Sequence, residues 1–365
     1  MKNALPAASA SRQPRGAIQV NGTRIDGWTT WETEENSNFR ADTFRASFVL
    51  SDLPAANNAA WWDSQGSLDV EIFAGLPADP SNFAATDLQS VLQGRVDDLS
   101  FQWDQGTLTI SGRDRTADLI DTKTSQKWAN MSPEAIVSQI AGEHGLTAVT
   151  QSTGTFAGKL YAQDQVRLQD DRTEWDLITW LAREVGFIAY VKGTELHFEP
   201  PADSLDPYLI QYVAPQVGEA PQGNFVTLET SHTLTIAKGI TVTVRSWNHK
   251  QKKAFERKAV RSGTTSTGAR TQQYVYTIPN LTPEQAQDRA NKLLADLSKH
   301  ERKLVMSGPA DNLLTKTDVI QLQGTGTGAD QTYYPDVISR SMSRDGGYEF
   351  RVQAKNHSPE SEASL

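Results

Sequence analysis

The sequence predicts an α+β, mainly β protein in which two β regions flank a small α/β unit. Three observations carry this. Short runs of alternating apolar and polar residues fill Gly16–Gly112 and return after Gly223. A capped helix and a β-hairpin are compressed into Asp171–Phe198, and one hairpin pattern occurs twice, at Val96–Ile110 and Val337–Val352.

The first β region opens with Ile18 and Val20, an Asn21-Gly22 turn of the kind that favours type I′ hairpins, and Ile25 on the return. Phe44, Ala46, Phe48 and Leu50, then Leu68, Val70 and Ile72, alternate strictly. Between them Ala55–Trp62 reads as a short helix carrying Trp61 and Trp62, either core alone or core on one side and interface on the other. A last hairpin sets Val96, Leu99, Phe101 and Trp103 against Leu108 and Ile110 across Asp104-Gln105-Gly106. Many short strands at this spacing indicate a sandwich or barrel.

The α/β unit is placed at 120–205. Its first helix, 133–144, opens at Ser132-Pro133-Glu134 and buries Ile136, Val137 and Ile140. Its second, 174–185, follows Thr173, whose hydroxyl can accept from the amide three residues on. Leu177, Ile178, Leu181, Ala182 and Val185 form one apolar face, and Gly186 supplies the left-handed stop. The period then changes to two for a hairpin over 187–198, turning at Lys192-Gly193.

The second β region, 206–357, includes Ile240, Val242 and Val244, an inserted loop over 250–280, and a helix over 283–300 with Ala286, Ala290, Leu293, Leu294 and Leu297 on one face. Strands close the chain at Leu304–Met306, Val319–Leu322, Val337–Met342 and Tyr348–Val352, and 358–365 reads as a flexible tail. The two echoing hairpins align without a gap from Val96/Val337 to Gly106/Gly347, after which the apolar phase slips by one residue.

Composition excludes several functions. A net charge of −9 is unsuited to wrapping nucleic acid, which needs a clustered basic face. With no cysteine there are no disulfides, thiolate zinc sites or cysteine nucleophiles. No run of about 18 apolar residues predicts a membrane span, and residues 1–15 lack the apolar core of a signal peptide. The carboxylates Asp164, Asp170, Asp171, Glu174 and Asp176 could supply an acid and a base, but helix capping and solvated surface account for them equally. No histidine pair has metal-ligand spacing, and Gly324-Thr325-Gly326-Thr327-Gly328 lacks the Lys and following helix of a phosphate loop. One basic run, Lys250, Lys252, Lys253, Arg257, Lys258 and Arg261, stands out: it is either a contact for an acidic partner or a lysine-protected edge strand.

Three stretches in this order resemble a known family. GRDRTADLID (Gly112–Asp121), the Ser132-Pro133 helix and WDLITWLAREVGFIAYV (Trp175–Val191) look like the baseplate hub proteins of tailed phages, most closely those of Mu-like contractile tails. Late-control hub proteins and the N-terminal part of type VI secretion spike proteins are related. The resemblance implies two tail-tube-like β-barrel domains, 1–119 and 206–357, with 120–205 inserted between them. It also implies a homotrimer whose six barrels form a pseudo-sixfold ring. Such a ring joins a hexameric tail tube protein to a trimeric central spike protein, meets baseplate wedge proteins, and leaves a channel for tape measure protein and DNA. Its place is the virion baseplate, after assembly in the host cytoplasm, with no membrane insertion by this chain. It implies no enzyme activity, no catalytic residue, no cofactor and no metal. The chain ends soon after the second barrel, so a β-helical spike and a lysozyme domain are expected on other proteins. Trp61, Trp62, Lys250, Lys252, Lys253, Arg257 and Lys258 are the candidate interface residues. Two other functions stay open: a cell-wall hydrolase or carbohydrate-binding tail protein, and the base of a type VI or tailocin spike.

Overall fold

Side chains alternate across a strand, so each β region must bury one face and leave the other to solvent or a partner. The computed structural model describes residues 2–3, 13–37, 39–124, 126, 128, 131–153, 172–201, 206–233, 239–248, 253–262, 272–278, 281–298 and 302–356.

The first half contains β1 (Arg15–Val20), β2 (Thr23–Arg24), β3 (Trp28–Asn36), β4 (Thr43–Val49), α1 (Ala59–Asp63), β5 (Asp69–Gly75), β6 (Gln89–Gln102) and β7 (Thr107–Asp114). Asn21 and Gly22 have φ of 48° and 75°, the pair of positive values a type I′ turn needs, and Val20 pairs with Thr23 across it. An α/β unit follows, with α2 (Thr116–Asp121), α3 (Pro133–Glu143), β8 (Thr147–Thr150), α4 (Glu174–Val185), β9 (Ile188–Lys192) and β10 (Glu195–Glu199). The helix cap is reciprocal: Thr173 Oγ1 accepts from the Asp176 amide at 3.1 Å, and Asp176 accepts from the Thr173 amide at 3.2 Å. Gly186 ends α4 at φ 76°. The hairpin turn falls one residue later than expected, at Gly193-Thr194, because Lys192 pairs with Glu195. β8 adds parallel to β10, and α3 and α4 cover this sheet to close a core of Ile136, Leu177, Leu181, Leu196 and Phe198.

The second half contains β11 (Tyr208–Val213), β12 (Gln222–Gly223) and β13 (Thr227–His232). An appended unit of β14 (Gly239–Asn248), β15 (Lys253–Ser262), β16 (Gln272–Thr277) and α5 (Pro283–Ser298) precedes β17 (Arg302–Pro309), β18 (Ile320–Gln323), β19 (Thr332–Ser343) and β20 (Gly347–Lys355). The expected loop over 250–280 is thus corrected: it carries two strands that flank β14, and α5 packs on them through Ala286, Ala290 and Leu293. Charges on both sides of β15 hide its period of two. Among the described residues no helix is long and apolar enough to cross a membrane.

Pairing shows a duplication deeper than one hairpin. The first half runs β1-β5-β6-β7-β4-β3 across its sheet, and the second runs β11-β18-β19-β20-β17-β13. Each strand has a counterpart at the same place in chain order, down to the short hairpins β1·β2 and β11·β12. One pair differs in direction: β1·β5 is antiparallel and β11·β18 parallel. The phase slip between the echoing hairpins also has a cause. The first closes Gln102 on Thr107, and the second closes Ser343 on Gly347, so its loop is one residue shorter.

Two β-barrel domains were the expectation; β3 pairs antiparallel with β19, from Asn36↔Val337 to Thr30↔Ser343, and joins the two β halves in one 14-stranded sheet. No closed barrel is found among the described residues. An open strand edge carries unpaired amides and carbonyls, and edge-to-edge pairing satisfies both halves at once. Trp31, Phe48, Trp62, Ile110, Tyr333 and Phe350 lie in one hydrophobic cluster that spans both halves. At roughly 1.5–3 kcal/mol for each large apolar side chain buried, this cluster is the main stabilising element.

Candidate functional site

Two features stand out: a set of open strand edges and a buried ionic joint. At the occupied junction, Trp31 and Thr33 of β3 lie opposite Met342 and Arg340 of β19. Matching the halves strand by strand through their registers gives Val226 and Leu228 as counterparts on the β13 side, and Phe101 and Leu99 on β6. Among the described residues these counterparts are not joined: β13 pairs with β17 alone, and β6 at Asp98–Gln102 with β7 alone. Exposure follows pairing: Trp31 and Met342 are 1% and 4% exposed, whereas Val226 is 71% exposed.

The joint forms where the two halves and the α/β unit meet. Glu35, Asp42, Asp114, Lys316 and Arg340 line a cavity of about 320 Å³ that Tyr190 and Lys192 of β9 also border. Lys316 Nζ donates to Asp42 Oδ2 at 2.8 Å, and Arg340 pairs with Glu35. Asp42 Oδ1 accepts from the Asn36 amide at 2.8 Å, and the Asp114 amide donates to the Asp42 carbonyl at 2.9 Å. Burial pushes the Asp114 carboxyl up to about 7, and the neighbouring Asp42 charge adds to this against the pull of Lys316. Burial also raises Glu35 against the pull of Arg340. Burial alone would lower Lys316, but the charges of Asp42 and Asp114 hold it above its ordinary value.

The same loop clasps the α/β unit. Phe39 sits at φ 77°, a strained value for a bulky residue. It is held by its amide donating to Ala189 O at 3.2 Å and by Trp175 Nε1 donating to its carbonyl at 3.0 Å. Arg183 lies 4.7 Å from its ring centre.

A raised Asp114 has a definite sign in a pH titration. Folded protein keeps this proton between about pH 4 and 7 while the unfolded chain has lost it, so its contribution is fully present below about pH 4 and is lost as pH rises through 7. The slope is at most about 1.4 kcal/mol per pH unit for one proton. Asp114→Asn, which keeps the shape beside Thr116, is expected to flatten the fall in melting temperature between pH 5 and 8; an unchanged slope would remove Asp114 as its source.

The GRDRTADLID stretch now has a physical reading. A Cβ on Gly112 would stand 1.9 Å from the Arg95 carbonyl oxygen, so only glycine allows β6 and β7 this approach. Arg113 bridges Asp97 and Asp121 at 2.7 and 2.9 Å. Asp114 accepts from the Thr116 amide and hydroxyl at 3.1 and 3.0 Å, and Arg115 pairs with Asp118 at 2.8 Å.

The residues singled out from sequence scatter. Trp62 is fully buried against Phe48, and Trp61 meets it edge-on at 5.3 Å while packing partly on the core. The interface expectation is therefore corrected for Trp62, which has no surface to offer. Lys250 and Lys252 lie outside the described residues, as does the side chain of Lys253. Arg257 and Lys258 are adjacent on the edge strand β15 and so take opposite faces: Arg257 stands 5.9 Å from the Phe255 ring centre, and Lys258 pairs with Glu256 at 3.2 Å. Asp164, Asp170, Asp171 and the tail 358–365 also lie outside the described residues, while Glu174 is buried against His144 Nε2 at 2.5 Å. Among the described residues no group of three His, Asp or Glu is placed to hold a metal ion.

Comparisons agree with this architecture. A tail protein of Neisseria meningitidis MC58 matches with a TM-score of 0.66 at 15% identity, over 96% of this chain and 100% of its own. A 43 kDa tail protein of prophage MuSo2 from Shewanella oneidensis matches with a TM-score of 0.70 at 13% identity, again over 96% and 100%. A type VI secretion component from Escherichia coli matches with a TM-score of 0.50 at 13% identity, over 95% of this chain and 79% of its own. At such identities the likeness is one of fold. No curated protein sequence matches the chain. The model of the phage tail baseplate hub (GPD) family matches residues 67–342, from β5 through both appended units to the last residues of β19. The chain belongs to the phage tail baseplate hub family.

Proposed function

We propose that this protein is the structural hub of a phage tail baseplate, a homotrimer whose six repeated β halves close into a pseudo-sixfold ring. The observation that carries the reading is the duplication with one junction used and its counterpart left open. β13 of one chain adds to β6 of the next as β3 adds to β19 within a chain, with Leu228 opposite Leu99 and Val226 opposite Phe101. Head-to-tail contacts of this kind form rings when the rotation closes, and three chains make six repeats, each half being a tail-tube-like β domain. The division into 1–119, 120–205 and 206–357 follows the same reading.

Such a ring joins a six-fold tail tube to a three-fold spike, meets wedge proteins, and leaves a channel for tape measure protein and DNA. The net charge of −9 suits a passage that DNA must not grip. It is a virion protein assembled in the host cytoplasm, with a structural rather than enzymatic role. The fold shared with a type VI component leaves the same ring as the base of a contractile secretion spike as a second setting for it. Mass measurement on the purified chain with its spike protein tests the reading. Three copies of the 40.2 kDa chain per particle are expected, and a chain that stays monomeric with the spike present would refute it.

A further inference from the structure

One loop both clasps the α/β unit and enters the ionic joint. Between β3 and β4, Phe39 donates its amide to Ala189 O of β9, and its carbonyl accepts from Trp175 Nε1 of α4; three residues on, Asp42 borders the cavity. Asp114 ends β7 where the chain passes into α2, so it stands at the covalent entry to the same unit. From β9, Tyr190 lies with its ring centre 5.4 Å from Lys316 Nζ, donates to Glu199 at 3.0 Å and stacks on His197. α2 is tied back to the first half by Arg95–Asp118 at 2.7 Å and Arg113–Asp121 at 2.9 Å, which makes it the pivot of the unit.

The charges in the joint do not balance. Glu35, Asp42 and Asp114 share the cavity with two largely buried cations, and both are taken, Arg340 by Glu35 and Lys316 by Asp42. Lys192 borders the cavity but is exposed. Asp114 is buried, and among the described residues its carboxyl has only the Thr116 amide and hydroxyl as partners. A third buried carboxyl with no cation left for it must hold a proton or let water in. With the proton the buried groups sum to zero. Without it a negative charge is trapped beside Asp42, and lifting the loop lets solvent reach it. The loop is primed to lift, since Phe39 at φ 77° regains an ordinary backbone when its two bonds open.

We propose that the joint is a proton-operated clasp: protonated Asp114 seats the α/β unit on the double sheet, and loss of that proton frees the Phe39 loop and lets the unit rock about α2. Every contact involved lies within one chain, so the clasp works in monomer and ring alike.

The sign is fixed by linkage. A seated Asp114 holds its proton up to about 7, whereas a solvated one loses it near 4. Opening is therefore least favourable below about pH 4, grows by up to about tenfold for each unit from there to 7, and levels off above. Amide exchange on the full-length chain, read residue by residue by NMR from pH 5 to 8 and corrected for intrinsic rates, tests this. Protection of the Phe39 amide is expected to fall up to about tenfold per unit between pH 5 and 7 and to change little from there to 8. Phe39 is expected to stay at least about tenfold less protected than the amides of Phe350–Val352 in the middle of β20, because the loop opens without the sheet. Asp114→Asn is expected to give a flat profile. Histidine also changes charge in this range, and His144→Gln and His197→Gln are expected to keep the wild-type profile. A flat wild-type profile overturns the clasp, and the wild type decides this even where Asp114→Asn does not fold. So does a slope that persists in Asp114→Asn or disappears with either histidine. Equal protection at Phe39 and Val352 overturns it too, since the loop would then open only when the whole chain unfolds.

Discussion

Lys316→Met is expected to destabilise the fold by about 3–5 kcal/mol, the cost of stripping one partner from a buried ion pair. Lys316 and Asp42 side chains are 8% and 10% exposed and meet at 2.8 Å, so removing the ammonium leaves the largely buried Asp42 carboxylate without its ion-pair partner. Asp114 suffers as well, because Lys316 is the charge that opposes its burial. Methionine fills most of the volume, so the loss is electrostatic rather than a cavity effect. Two signatures follow. The penalty shrinks at acid pH, where Asp114 takes up its proton, and Asp42→Asn combined with Lys316→Met recovers part of the loss. Urea unfolding at pH 5 and pH 8 checks both; a loss under about 1 kcal/mol at pH 8 would mean that the joint is wet.

Leu228→Lys is expected to leave folded monomers in place of the trimer, and Leu99→Glu to do the same. Each sets a charge at the centre of an edge-to-edge β contact, the device by which natural edge strands refuse partners. Leu228 and Leu99 pack only partly on the core, so the protomer keeps its fold. Because the same contact recurs at every step of a closed ring, a penalty of roughly 2 kcal/mol at each is enough to disperse it at micromolar concentration. The combined variant sets Lys opposite Glu at the predicted register, and its trimer is expected to return in part at low salt. Single variants that stay trimeric would show that other surfaces close the ring.

Local chemistry and the order of the units were legible, and the pairing between the two halves was not. The helix after Thr173 was readable because cap, apolar face and Gly186 stop agree, and the Asn21-Gly22 turn because its φ values admit few residues. Duplication left one echo, Val96/Val337, because strand order is kept by backbone pairing while side chains are free to drift. β15 was hidden because Arg257 and Lys258 put charge on both faces, which erases the alternation that marks a strand. The ionic joint had no sequence signal: Glu35 and Arg340 are 305 positions apart, and only the β3·β19 pairing brings them together. For Trp62 the sequence leaves core alone and core with an interface side both open, and full burial decides for core.

The measurement that tests the central claim most directly is a cryo-EM reconstruction of the purified hub with its spike, at a resolution that traces strands. A three-chain ring is predicted in which β13 of each chain continues the sheet of the next at β6, with Leu228 opposite Leu99. A monomer, or a ring in which both edges remain open to solvent, would contradict it.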